Sequence, residues 1–196
     1  MKYMKYMRRL AQMVLMLAAL GSWSAYAIPI LTLTPSGNVQ GGAGQTVGWG
    51  FSFMNDTTFF LLVDGSFFCQ PAQDPQFNTC TQTQGVYTDY IASNSTLVSP
   101  NSTASQSFMQ GNPGMGVGQY TISSSAMFGA IDSGKIIVTY QEFNGNPFTG
   151  GMQVSGDIEV SALASVQVVP EPATFGLLGA SLAGLGLLRF HRRKRG

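Results

Sequence analysis

Residues 46–53 read TVGWGFSF, and this stretch decides the fold class of the chain. Val47, Trp49, Phe51 and Phe53 alternate with small or polar residues, so bulky apolar side chains recur at every second position. Because successive side chains of a strand point to opposite faces, this period indicates a β-strand with one strongly apolar face. We therefore predict a central strand here, with Trp49 at the centre of the core.

Short strands separated by turn signals continue on both sides of this stretch. The further predicted strands cover residues 30–34, 58–63, 66–69, 86–91, 96–98, 102–108, 117–122 and 135–140, with a last pair within 152–169. Asp64-Gly65 and Asp132-Ser133-Gly134 are predicted to be turns. Short strands separated by turns, without helical periodicity, predict an all-β fold, a single antiparallel β-sandwich of immunoglobulin-like or jelly-roll type.

Residues 1–27 have the organisation of a secretory signal peptide. Four cations within residues 2–9 precede an apolar run over residues 10–20. Residues 24–27 read SAYA, in which Ala25 and Ala27 form the small-x-small pattern that signal peptidase reads. Cleavage after Ala27 is predicted, and an uncleaved N-terminal anchor is the alternative.

Residues 170–196 contain three features in a defined order. The tripeptide Pro170-Glu171-Pro172 precedes an apolar run over residues 173–188. A basic cluster then follows, made of Arg189, Arg192, Arg193, Lys194 and Arg195. At about 1.5 Å per residue the run reaches the short end of a bilayer span, so a transmembrane helix is predicted over residues 173–190. The cations should stay in the cytoplasm, which leaves the preceding residues on the other side of the inner membrane.

This order of features resembles the PEP-CTERM sorting signal of Gram-negative bacteria. The resemblance implies that a membrane-embedded exosortase recognises residues 170–196 and cleaves near the tripeptide. It also implies transient anchoring in the inner membrane, followed by a cell-surface or extracellular location. Some families name the same tail the ice-binding protein C-terminal domain, but the chain lacks the repeated Thr-x-Thr ladder that ice binding would need. A generic membrane anchor is the alternative.

Between these two ends, residues 28–169 are predicted to form one exported domain. This domain has one cation, Lys135, against eight carboxylates, which gives a formal net charge of about −7. Nucleic acid is therefore a disfavoured partner, because phosphate backbones require a basic surface. Cys69 and Cys80 are the only cysteines. In an oxidising compartment they are predicted to form one disulfide, with free thiols as the alternative.

The exported domain contains no histidine, which excludes His-based triads and metal clusters from it. We predict no catalytic residue, no metal site and no cofactor, and hence no enzyme. A carboxylate-dependent glycosidase is a less favoured alternative, because it needs two carboxylates that face each other across a sugar. Asp56, Asp64 and Asp132 instead lie at predicted turns, where aspartate accepts hydrogen bonds from backbone N–H groups.

Four aromatic residues, Phe59, Phe67, Tyr87 and Tyr90, are candidates for a ligand-facing surface. Adjacent aromatics on a strand point to opposite sheet faces, so one of each pair could be exposed. The predicted role is structural or adhesive, in the envelope or the extracellular matrix, and the alternative is a carbohydrate-binding module. Its polymer would be an exopolysaccharide, because the PEP-CTERM resemblance implies that exosortase systems commonly accompany exopolysaccharide production.

Overall fold

The computed structural model describes residues 27–70, 80–170, 176 and 179–181. Ten strands form the described part of the chain: β1 (Ile30–Thr34), β2 (Asn38–Gly41), β3 (Thr46–Asn55), β4 (Phe60–Cys69), β5 (Gly85–Asp89), β6 (Thr96–Val98), β7 (Ser102–Gln106), β8 (Gly118–Ile122), β9 (Ile131–Phe143) and β10 (Ile158–Val168). A short 3-10 helix, Pro147–Thr149, lies between β9 and β10. The all-β prediction is confirmed.

The strands form two five-stranded sheets. The first sheet has the order β1-β3-β8-β5, and β7 continues along the edge of β3 beyond β8. The second sheet has the order β2-β10-β9-β4-β6. The pairs are antiparallel as predicted, except that β2 and β10 run parallel. The assignment to the immunoglobulin-like or jelly-roll type stays a prediction.

Aromatic contacts between the two sheets form the core. Trp49 on β3 is fully buried and stacks on Phe68 of β4, with ring centroids 5.9 Å apart. Phe53 of β3 meets Tyr140 of β9 at 5.7 Å in an edge arrangement. Such pairs stabilise a core beyond the area that they bury. The prediction that Trp49 lies at the centre of the core is confirmed.

The other face of β3 is covered as well, which the alternating pattern did not predict. A Cβ atom on Gly48 would lie 2.3 Å from the ring of Phe108, and one on Gly50 would lie 2.5 Å from the carbonyl oxygen of Gln106. These two glycines are therefore required by the close approach of the segment that follows β7. Small residues at alternate positions here mark dense packing rather than exposure to solvent.

The predicted turn at Asp64-Gly65 is wrong. β4 runs through both residues as one strand, and its register against β9 shifts between Val63 and Gly65. The irregularity is a β-bulge, in which the carboxylate of Asp64 accepts a hydrogen bond of 2.8 Å from the Thr139 hydroxyl. An Asp-Gly pair suits such a bulge as well as it suits a hairpin, and the long partner strand β9 decides between them.

The predicted turn at residues 132–134 is wrong too, because these residues lie inside β9. A Cβ atom on Gly134 would lie 2.3 Å from the carbonyl oxygen of Cys69, so the glycine serves the close pairing of β9 with β4. The predicted last strand pair is a single strand, β10. The predicted partner strand is not formed among the described residues. Gln153 makes only an isolated bridge to Phe143.

A disulfide joins Cys69, at the end of β4, to Cys80, and this prediction is confirmed. Chain segments on both sides of the disulfide are fixed to the sheets. The side chain of Gln82 donates a hydrogen bond of 2.9 Å to the carbonyl oxygen of Phe68. The chain that follows Cys80 is thus bound to β4 by a covalent bond and by a hydrogen bond before β5 begins.

Candidate sorting site at the end of the last strand

β10 carries the chain directly to the Pro-Glu-Pro tripeptide. Val166 and Val168 are buried in the core, and the parallel pairing with β2 ends where Val168 lies opposite Gly41. One residue later, the backbone N–H of Val169 donates a hydrogen bond of 2.9 Å to the carbonyl oxygen of Gly41. Val169 is therefore held by the edge strand of the second sheet.

Pro170 is the first residue after β10 that has no backbone N–H. It lies two residues after Val168, whose N–H donates to Ala130 on the side away from β2, so the proline ends the donation of hydrogen bonds on that side. Pro170 is half-buried against the end of the sheet. The tripeptide therefore starts at the domain surface without an intervening linker, whereas Glu171 and Pro172 lie outside the described residues.

The connection between β8 and β9 holds the other side of the same strand end. The N–H of Gly129 donates to the carbonyl oxygen of Val168, and the N–H of Val168 donates to the carbonyl oxygen of Ala130, both at 2.9 Å. Two neighbouring segments thus fix the backbone from which the tail departs. The backbone is therefore held by hydrogen bonds up to Val169, directly before Pro170.

The remaining targeting residues are only partly within the described chain. Ala27 and Ile28 are exposed, Pro29 is buried, and β1 begins at Ile30, so cleavage after Ala27 would leave β1 whole. Ala25, the basic cluster and most of residues 173–190 lie outside the described residues. Positions 176 and 179–181 of that run are helical. Among the described residues, no helix has both the length and the apolar character to span a bilayer.

The predicted ligand-facing aromatics do not form a common surface. Tyr90 is only 3% exposed, stacks on Phe108 at 6.3 Å and donates its hydroxyl hydrogen to Gln119. Tyr87 turns its ring toward the core, where it lies 6.4 Å from both Trp49 and Phe68. For these two residues the prediction is wrong.

The other two aromatics are half-buried and separate from each other. Phe59 packs against the core cluster, whereas Phe67 lies on the opposite face of β4 from the buried Phe68. The reason for the error lies in β5, which exposes Val86 and turns the half-buried Tyr87 toward the core. The hydroxyl of Tyr87 has a partner in Ser66 at 2.8 Å, and a bonded phenol is readily buried.

The most buried carboxylate, Asp132, is occupied by structural hydrogen bonds. Its side chain is 1% exposed and accepts from the backbone N–H groups of Thr83, at 3.0 Å, and Gln84, at 2.9 Å. The hydroxyls of Thr83 and Tyr120 also donate to it. Asp132 does accept hydrogen bonds from backbone N–H groups, as predicted. However, Asp132 lies within β9 and not in a turn, and the N–H groups belong to a segment that is distant in the sequence.

These contacts also set the ionisation of Asp132. Burial alone would raise its pKa, but the hydrogen bonds from Thr83, Tyr120 and Gln84 favour the carboxylate and hold the pKa below its ordinary value. Burial and the neighbouring Asp132 together raise the pKa of Tyr120 far above its usual range. The pair therefore consists of a carboxylate and a neutral phenol at physiological pH.

Asp89 has a similar role on the other side of the disulfide-bound segment. It accepts hydrogen bonds from the N–H groups of Ser66, Ile91 and Ala92 at 3.1, 2.8 and 3.2 Å. Within the described ranges, no group of three or more His, Cys, Asp or Glu side chains is arranged to hold a metal ion. Two shallow depressions on the described surface are lined by uncharged residues.

Comparison with known proteins identifies the tail. No curated protein matches the chain. Residues 168–194 match the family model of the PEP-CTERM protein-sorting motif, so the match begins at the last residue of β10. This motif supports exosortase-dependent sorting of an exported protein and implies a surface or extracellular location. The resemblance seen in the sequence is confirmed, and residues 168–194 of this chain carry a PEP-CTERM protein-sorting motif.

Proposed function

We propose that the chain is the precursor of an envelope or matrix protein of a Gram-negative bacterium. Residues 1–27 are its signal peptide, removed by signal peptidase, and residues 28–169 are the exported domain. Residues 170–196 are the sorting signal, whose helix over residues 173–190 anchors the precursor transiently in the inner membrane. The exosortase then cleaves near Pro170 and the domain reaches the surface or the medium.

The observation that carries this proposal is the junction between β10 and the motif. Val169 is hydrogen-bonded to Gly41, and the tripeptide begins at the next residue. Cleavage at or after Pro170 would leave all ten strands intact, whereas cleavage a few residues earlier would remove the buried Val166 and Val168. The position of the motif therefore suits a processing step that releases a folded domain.

For the exported domain we propose a structural or adhesive role without catalysis. The buried carboxylate of Asp132 and the half-buried carboxylate of Asp89 are engaged in hydrogen bonds that fix the segments before and after β5. Tyr90 is buried and the half-buried Tyr87 turns its ring toward the core, which removes the main support for a sugar-binding aromatic surface. A stable sandwich closed by a disulfide is the kind of domain that persists outside the cell.

The test is the intact mass and the location of the protein in its own host, with and without the exosortase. We expect a mature species from Ile28 to about Pro170 in the first strain, and a longer species in the inner membrane in the second. Glu171→Gln in the tripeptide should slow processing, whereas Glu159→Gln on the exposed face of β10 is the matched control. A species that retains residues 189–196 in both strains would contradict the proposal.

A further inference from the structure

The connection between β8 and β9 presents its most apolar residues to solvent. Met127 is 78% exposed and Phe128 is 71% exposed. The loop is built to hold them there, because Ala126 and Ala130 on either side pack against the core. Two turns, closed by the hydrogen bonds from Ala126 to Ser123 and from Ala130 to Met127, complete the loop.

This loop lies beside the point where the tail leaves the domain. Gly129, directly after Phe128, is hydrogen-bonded to Val168, and the apolar run of the tail begins at residue 173. Residue 173 follows Val169 by four positions, and an extended chain of that length spans at most about 14 Å. If the run lies in the bilayer, the membrane boundary must be within that distance of the fixed end of β10.

The acidic residues of the sandwich lie mainly toward the end opposite to the tail. Within the part of the chain that the structure describes, the segments grouped around the end of β10 are residues 42–45, 81–84 and 123–130, which read GAGQ, TQTQ and SSSAMFGA and contain no charged residue. Among the described carboxylates, Asp132 lies close by, but it is buried and hydrogen-bonded. The opposite end carries acids at or beside the ends of β3, β9 and β10, namely Asp56, Glu142, Asp157 and Glu159.

From this arrangement we propose that Met127 and Phe128 insert into the headgroup–acyl boundary of the bilayer while the precursor is anchored. The proposal rests on the proposed anchoring of residues 173–190. Anionic lipid repels the acidic part of the domain. The end without exposed charge, which carries two exposed apolar side chains, is therefore the end that can contact the membrane surface. Apolar side chains at such a boundary are typically buried by about 5–10 Å.

The consequence is a defined orientation of the domain before cleavage. Three neighbouring features, the tail and the two apolar side chains, would fix the uncharged end on the membrane and hold Pro170 at its surface. β9 extends away from this end over 13 residues, which is about 40 Å at the usual rise of a strand. The acidic end would therefore face away from the lipid.

Phe128→Trp, compared with Phe148→Trp, tests the inference. Phe148 is a matched control, because it is 70% exposed but lies in the 3-10 helix beyond the far end of β9. The membrane-anchored form is purified from a host that lacks the exosortase and reconstituted into vesicles of phosphatidylethanolamine and phosphatidylglycerol that contain nitroxide-labelled lipid. The fluorescence of the unsubstituted protein, which contains the buried Trp49, is measured separately and subtracted from that of each variant.

We expect the labelled lipid to quench Trp at position 128 and to shift its emission to the blue, with neither effect at position 148. Flotation with carbonate-washed vesicles measures insertion of the tail separately. Inserted protein without quenching at position 128, or with equal quenching at both positions, overturns the inference and leaves the anchoring intact. Protein that fails to float overturns both the anchoring and the inference.

Discussion

The indole nitrogen of Trp49 donates a hydrogen bond of 3.0 Å to the carbonyl oxygen of Gly37. Trp49 belongs to the first sheet, and Gly37 directly precedes β2 of the second sheet. The same carbonyl oxygen accepts a hydrogen bond of 2.9 Å from the N–H of Ser165 on β10. One backbone group thus connects the central core residue to the strand pair that leads to the sorting motif.

Trp49→Phe should lower the free energy of unfolding by about 1 to 3 kcal/mol, because it removes this hydrogen bond and leaves part of the indole volume empty. Urea denaturation of the full chain in mild detergent, followed by circular dichroism, measures the change. Phe148→Leu, at an exposed aromatic, is the control and should leave the midpoint unchanged. An unchanged midpoint for Trp49→Phe would show that the core tolerates the loss.

Asp132→Asn should also destabilise the fold, by about 2 to 3 kcal/mol. The N–H groups of Thr83 and Gln84 and the Tyr120 hydroxyl all donate to Oδ2, whereas the Thr83 hydroxyl donates to Oδ1. Asparagine keeps only one accepting oxygen, so the groups that donate to the other oxygen would lose their buried acceptor. The same urea titration measures the loss. Asp157→Asn, at an exposed acid, is the control, and equal effects of both substitutions would argue against a special role for Asp132.

The difference in the free energy of unfolding between the unsubstituted chain and Asp132→Asn should depend on pH. The pKa of Asp132 is lowered in the fold, so its carboxylate contributes stability that is present above the unfolded pKa, about 3.9, and is lost as the pH falls through the folded pKa. The two proteins should therefore become more similar in stability below about pH 4. A constant difference from pH 7 to pH 3 would contradict this prediction.

The fold should lose stability in alkali through its buried tyrosines. Burial, with smaller contributions from Glu142 and Asp56, raises the pKa of Tyr140 to about 12. A raised pKa means that the stabilisation is fully present below the unfolded pKa, about 10, and is lost as the pH rises through about 12. Tyr140→Phe should reduce this loss, as measured by unfolding at increasing pH together with tyrosinate absorption.

Replacing both cysteines by alanine should lower the free energy of unfolding by about 2 to 3 kcal/mol, since the disulfide closes a short loop and restricts the unfolded chain. Reduction of the unsubstituted protein should have an effect of similar size, which serves as the internal control. Alkylation of the denatured protein followed by mass spectrometry verifies the disulfide itself. Two alkylated cysteines without prior reduction would contradict the bond between Cys69 and Cys80.

The features that local sequence predicted are those with a local cause. The period of residues 46–53 predicted a core strand because alternation on a strand is a property of the strand itself. The two cysteines predicted their own pairing, since no other cysteine competes. The tail was identified from the order of its tripeptide, apolar run and basic cluster, which needs no knowledge of the rest of the chain.

Tertiary structure decided the features that depend on distant partners. Asp64-Gly65 and Asp132-Ser133-Gly134 carry turn signals, yet both lie within strands. The pairing of β4 with β9 outweighs the local preference at the first, and the pairing of β9 with β10 outweighs it at the second. Tyr87 turns its ring toward the core and is half-buried there, where Ser66, 21 residues away, bonds its hydroxyl.

The same holds for the end of the domain that carries the motif. Phe128 and Val168 become neighbours only when β9 and β10 pair, 40 residues apart in the chain. Sequence by itself determined the presence of core strands, the disulfide and the sorting motif. Only the tertiary structure decided which apolar residues face solvent beside the motif, because strand register and packing between sheets are set by contacts that no short stretch contains.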